Sequence, residues 1–185
     1  MKLIERWQCS GRRIIHSLRI FNLREDRYLL PRSNREAPFF ILESPDWVNI
    51  IPLNEAGEVV LIRQFRFGLE TVTLEIPGGM VEGGLTPLET ARKELLEETG
   101  CRAEEWEYLG FVHPNPAFLN NRCHSFLARG VEKVAEIDPD ESEEIEVVTT
   151  PLEQIPALIA GEEITHALVI GAFHLLGLKD KDREK

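Results

Sequence analysis

The sequence predicts a sandwich of mixed strands and helices, α+β or α/β, with a small strand-rich region at its N-terminus. Three observations lead there. Strand-like runs fill the chain up to about residue 80 and return over 106–131. A helix with complete end signals stands between the two sets, and two further helical stretches close the chain. That order lacks the regular strand–helix alternation of a doubly wound Rossmann sheet.

Taken in order, residues 12–43 read as strands. RRIIHSLRIFNL alternates loosely, DRYLL follows, and APFFILE comes after a polar turn at 31–36. WVNIIPLNEAGEVVLIRQFRF reads as a hairpin around Asn54, Glu55, Ala56 and Gly57, and TVTLEIPGG as one further alternating strand that ends in two glycines. In TPLETARKELLEETG, Thr86 is the N-cap, Pro87 the first helical residue, and Glu89 completes a capping box. Gly100 sits where a helix needs a left-handed residue to end. WEYLGFVH and CHSFLARGV read as strands, EIDPDESEEIE as an acidic loop, and 151–160 and 165–177 as helices broken at Gly161. Residues 1–45 are too few to hold a core of their own, so 46–185 is expected to form the main domain.

Bulk properties narrow the function. The 185 residues are 43% hydrophobic and 29% charged, ordinary for one globular domain with a small appendage. Three cysteines without a CxxC pair argue against a disulfide framework or a zinc site and suit a reducing compartment. A net charge of −11 argues against nucleic-acid and anionic-membrane binding. No apolar run approaches a membrane span and the first residues lack a signal-peptide core, so a cytoplasmic protein is expected.

The chemistry concentrates in GMVEGGLTPLETARKELLEETGC, residues 79–101. Glu94, Glu97 and Glu98 stand at i, i+3 and i+4 of the capped helix, within about 100° of one another on its wheel. Like charges so placed repel, and a divalent cation with oxygen ligands is the natural counter-charge; a solvated helix face is the plainer alternative. Gly78 and Gly79 let the backbone approach a ligand, and a second acidic run lies at 138–146. Arg63 and Arg66 lead into the same region and suit phosphate oxygens, although odd spacing on a strand points them to opposite faces. Together these describe metal-assisted phosphoryl chemistry. Asn120 and Arg122, in HPNPAFLNNRCH, fit a sugar or base pocket or simple turn chemistry.

At these residues the chain resembles the Nudix family. The box G-x5-E-x7-R-E-U-x-E-E-x-G-U, with U aliphatic, is matched at Gly79, Glu94, Leu95, Glu97, Glu98 and Gly100. Leu85 stands where the box has its first glutamate, Lys93 where it has arginine, and Cys101 at its last aliphatic position. LIRQFRFGLETVTLEIPGGMVEGG and ESEEIEV resemble the ADP-ribose pyrophosphatase group of nucleotide-sugar hydrolases. The resemblance implies an α/β/α sandwich that hydrolyses a nucleoside diphosphate sugar, such as ADP-ribose or GDP-mannose, with Mg2+ or Mn2+. It implies metal ligands at Gly78 (by its carbonyl), Glu94, Glu97, Glu98 and Glu143, Glu97 doubling as an auxiliary base. Glu141 would be the general base, and Arg66, with Arg63, the phosphate contact. A homodimer joined through residues 1–45 is implied as well. The rival readings are a Nudix hydrolase of triphosphates or dinucleoside polyphosphates, and a non-catalytic nucleotide-sugar sensor with a worn box.

Overall fold

The computed structural model describes residues 4, 6–139 and 143–183. They fall into two compact units, Met1–Pro45 with His113–Asn121, and Asp46–Val112 with Arg122–Lys185.

The first unit is an antiparallel sheet of β1 (Cys9–Ser17), β2 (Asn22–Leu29) and β3 (Glu36–Glu43), with β2 in the middle. Its central strand carries acids where a core residue would be expected. Asp26 is 1% exposed and is met by Arg24 at 2.8 Å and Arg12 at 3.3 Å. Glu25, also buried, is met by Arg13 at 2.9 Å and Arg27 at 3.1 Å. The Arg13 and Arg27 guanidinium groups hold the Glu25 carboxyl below its ordinary value in spite of its burial. Meanwhile Ile14, Ile15, Ile20, Phe39 and Phe40 remain exposed, Phe40 by 54%. The segment 113–121 is stitched to β3 through the Leu42 N–H on the Phe118 carbonyl, 2.8 Å, and the Ser44 N–H on Asn120 Oδ1, 3.1 Å.

The second unit is an α/β/α sandwich. Its sheet runs β12 (Ile145–Pro151), β5 (Glu58–Arg66), β4 (Trp47–Leu53), β10 (Cys123–Arg129), β9 (Glu105–Val112), with β4 and β10 parallel and the other neighbours antiparallel. A small ribbon pairs β8 (Cys101–Arg102) with β11 (Glu132–Lys133). Alternation along β5 sends Val59 and Leu61 to one face and Val60 to the other. The first face buries Ile51, Leu127, Ile164 and Val169 with α2 (Ile155–Ala160) and α3 (Ala167–Arg183). The second buries Val48, Ile50 and Phe126 under Ala91 and Leu95 of α1 (Pro87–Thr99). All described members of both apolar clusters belong to this unit.

Three features differ from the sequence-based expectation. TVTLEIPGG is two strands: β6 (Thr71–Glu75) pairs with β5, and β7 (Gly78–Met80) pairs with β4. Pro77 lies at the crossing, where it offers no N–H to a ladder and its carbonyl accepts from the Ile50 N–H at 2.9 Å. The acidic stretch turns into β12 from Ile145, and what reads as a helix from 151 is strand to Pro151, a 3-10 turn over Leu152–Gln154 and then α2. The last helix starts at Ala167 and continues to Arg183, beyond the expected end at 177.

Candidate functional site

The site is built where β7 lies along α1. The Thr86 hydroxyl accepts from the Glu89 N–H, the Glu89 carboxylate accepts from the Thr86 N–H at 2.8 Å, and Gly100 closes the helix at φ 69°. With both ends fixed, the rotational phase of the helix is set by Ala91 and Leu95, which are fully buried against the sheet. Glu94 and Glu98, one turn apart, are thereby brought against the two glycines of β7. A Cβ on Gly79 would fall on the Glu94 carboxylate, and one on Gly78 would strike the Val48 carbonyl. At Gly78 the clash is with backbone, so only glycine fits there, and a side chain at Gly79 would displace the Glu94 carboxylate.

The carboxylates are not equivalent. Glu98 is 2% exposed, and its Oε2 accepts from the Gly78 N–H at 2.9 Å. Burial pushes its carboxyl well above the ordinary value; the Gly78 N–H opposes that, and the charges of Glu94 and Glu143 add to it. Burial likewise raises the Glu94 carboxyl to about 7, with Glu97 and Glu143 adding and Lys93 subtracting. Glu97 turns to the rim, where it meets Lys93 Nζ at 3.0 Å, and the same ammonium reaches Glu82 at 3.3 Å. Glu97, then Glu82, hold the Lys93 ammonium above its ordinary range against the cost of burial. Lys93 is thus occupied on the rim, and Leu85 is an exposed residue of the turn before the helix.

A second set of side chains gathers around Glu75, a residue that sequence reasoning passed over. Its buried carboxylate receives Arg66 Nε at 2.8 Å and Nη2 at 2.7 Å, Thr73 Oγ1 at 2.6 Å and His166 Nδ1 at 2.7 Å. Burial would raise this carboxyl, but the bonds from Arg66, His166 and Thr73 outweigh it and hold it far below the usual carboxylate range. Held above its ordinary value first by the Glu75 hydrogen bonds, the Arg66 guanidinium also feels the charges of Glu98 and Glu143. An acid in the otherwise apolar end of TVTLEIP was the available signal for Glu75; His166 had none, since its partner is 91 residues away in sequence.

The remaining candidates are dispersed. Arg63 pairs with Glu146 of β12 at 3.1 Å and points to the opposite face of β5 from Arg66. Glu143 is exposed, with its charge felt at Glu94, Glu98 and Arg66. Glu141 lies outside the described residues. Asn120 belongs to the first unit, through its bond from Ser44. Arg122 belongs to the second: its N–H donates to Asp46 Oδ1 at 2.7 Å and its guanidinium lies 4.6 Å over the Phe111 ring.

Among the described residues no three acidic, histidine or cysteine side chains close into a metal cage. Two inward carboxylates beside a glycine backbone fit a hard cation such as Mg2+, which keeps several waters and uses one or two carboxylates plus substrate phosphates. They do not fit zinc or another metal that demands a closed set of nitrogen and sulfur ligands.

Comparison with known proteins identifies the family and the fold. The NUDIX domain family matches residues 44–170. The chain is 33% identical over 141 residues to an ADP-ribose pyrophosphatase of Bacillus subtilis (strain 168), covering 76% of each protein. It is 30% identical over 177 residues to a methanol dehydrogenase activator of Bacillus methanolicus, covering 92% of each. The crystal structure of an ADP compounds hydrolase superposes with a TM-score of 0.85 over 99% of this chain and 98% of that one, at 20% identity, and so shares its fold.

Proposed function

The chain belongs to the NUDIX family, and we propose that it hydrolyses the diphosphate of a nucleoside diphosphate sugar, of the ADP-ribose or GDP-mannose kind, with Mg2+. It is a pyrophosphohydrolase of the ADP-ribose pyrophosphatase group. The observation that carries the reading is the pair of Glu98, buried, and Glu94, half-buried, set against Gly78–Gly79, with Arg66 electrostatically coupled to Glu98.

Glu94 and Glu98 would hold the cation, with the Gly78 carbonyl, Glu143 and Glu97 as further donors. When bound, the metal supplies charge to polarise the phosphoryl oxygens and stabilise the departing phosphate. Arg66, clamped bidentately from behind by Glu75, directs its remaining N–H donors at the diphosphate. Water attacks one phosphorus, the bridging P–O bond breaks, and the products are a nucleoside monophosphate and a sugar phosphate. Glu141 takes the proton of the attacking water.

We assign the working form as a homodimer in the cytoplasm. The apolar residues left exposed on β1 and β3 and the absence of an apolar cluster from the first unit, among the described residues, favour a second copy as the cover. A panel of nucleoside diphosphate sugars, nucleoside triphosphates and dinucleoside polyphosphates incubated with Mg2+ tests the substrate class. Sugar-phosphate release from the first group is the expected result. Turnover confined to the other two groups moves the protein to another substrate class, and no turnover of any compound defeats the catalytic reading.

A further inference from the structure

We propose that His166 determines specificity, its Nε2 accepting a hydrogen bond from a sugar hydroxyl adjacent to the phosphate that Arg66 holds. This rests on the nucleotide-sugar reading above and deepens it.

His166 immediately precedes α3 and reaches Glu75 through Nδ1. A carboxylate only accepts, so Nδ1 carries the hydrogen, and the uncharged ring of that tautomer has a lone pair at Nε2. Arg66 Nη2 and His166 Nδ1 are each 2.7 Å from the same Glu75 oxygen. The two groups therefore stand no farther apart than two hydrogen bonds laid end to end. Four donors reach the two oxygens of Glu75, two to each, which fills the acceptor sites of a carboxylate. Glu75 thus has nothing left for a ligand. The side chains of Arg66 and His166 are by contrast 40% and 37% exposed. Among the described residues His166 Nε2 makes no hydrogen bond.

A donor edge and an acceptor nitrogen side by side match a phosphate next to a hydroxyl. A bare polyphosphate offers acceptors only, and its oxygen would meet the Nε2 lone pair unfavourably. A sugar phosphate offers both. The Glu75 bridge thereby makes one recognition unit from residues on β6, β5 and the start of α3, and it selects esters of sugars over chains of phosphate.

The test compares the binding of ribose 5-phosphate and methyl phosphate to the full chain by calorimetry, in the wild type and in His166→Phe and His166→Gln. The wild type is expected to prefer ribose 5-phosphate by roughly three- to tenfold, the worth of one hydrogen bond. His166→Phe should erase that preference and leave methyl phosphate binding unchanged, while His166→Gln, which keeps an acceptor oxygen, should retain part of it. In turnover of ADP-ribose, His166→Phe should raise KM by the same factor with kcat kept. Absence of a wild-type preference overturns the proposal, as does equal weakening of both ligands in His166→Phe, which would make His166 a mere support for Glu75 and Arg66. The binding arm needs no turnover, so a protein that hydrolyses nothing but shows the His166-dependent preference would sink the catalytic reading and leave this one standing.

Discussion

The two units of this molecule solve the burial of charge in opposite ways. In the N-terminal sheet, Glu25 and Asp26 are buried with arginines closed around them, and the apolar residues stay outside. In the sandwich two apolar clusters are inside, and the buried Glu98, with Glu94 beside it, receives one backbone N–H and, among the described residues, no ion pair, Arg66 and Lys93 acting on the two only through their charge. A buried carboxylate with its arginine is a finished structural element. A buried carboxylate on which no arginine or lysine closes can instead serve a ligand of opposite sign. Glu75 shows the finished arrangement inside the sandwich itself, a few residues from the unfinished one.

The largest expected effect separates the two kinds of acid by activity. Glu98→Gln keeps the shape of the side chain and removes its charge, and should lower the Mg2+-dependent rate by about a hundredfold or more, given the usual worth of metal-site groups. Its unfolding midpoint should hold or rise, since burial disfavours the charged form of this carboxyl and an amide carries no charge. An unchanged rate would mean that the unpaired acid is as structural as the paired ones.

The converse substitution acts on stability. Arg24→Leu leaves Asp26 buried with Arg12 alone and should cost about 1–3 kcal/mol. For a chain of this size that lowers the thermal midpoint by about 2–12 °C, with kcat below the transition kept close to wild type. A large loss of kcat without a shift in midpoint would place the N-terminal sheet in the chemistry and erase the contrast.

Much of the sandwich side of this contrast was legible in the sequence. The capping box at Thr86 and Glu89, the terminal Gly100 and the spacing of Glu94, Glu97 and Glu98 are local signals, and local signals survive folding. Spacing alone did not separate Glu97, drawn to the rim by Lys93, from its two inward neighbours; that depends on how Ala91 and Leu95 set the helix against the sheet. The Glu75–His166 bond was out of reach, because nothing near His166 in the sequence points to β6. The buried acids of NLREDRYL were equally hidden. Their arginines come partly from β1, and only strand pairing brings Arg12 opposite Asp26 and Arg13 opposite Glu25. The split of TVTLEIPGG rests on which neighbours β6 and β7 find, and a single strand's alternation does not record that.

The central claim, that Glu94 and Glu98 hold a divalent cation in place of retained protons, is tested most directly by a Mg2+ titration by calorimetry with proton counting. Burial raises both carboxyls, Glu94 to about 7, so the metal-free site retains protons that the metal must displace. Binding near pH 6 should therefore release protons to the buffer, and affinity should strengthen as pH rises toward about 7. Glu98→Gln should weaken binding at least about tenfold and reduce the proton count. Mg2+ binding that releases no protons at pH 6 and survives Glu98→Gln unchanged would contradict the claim.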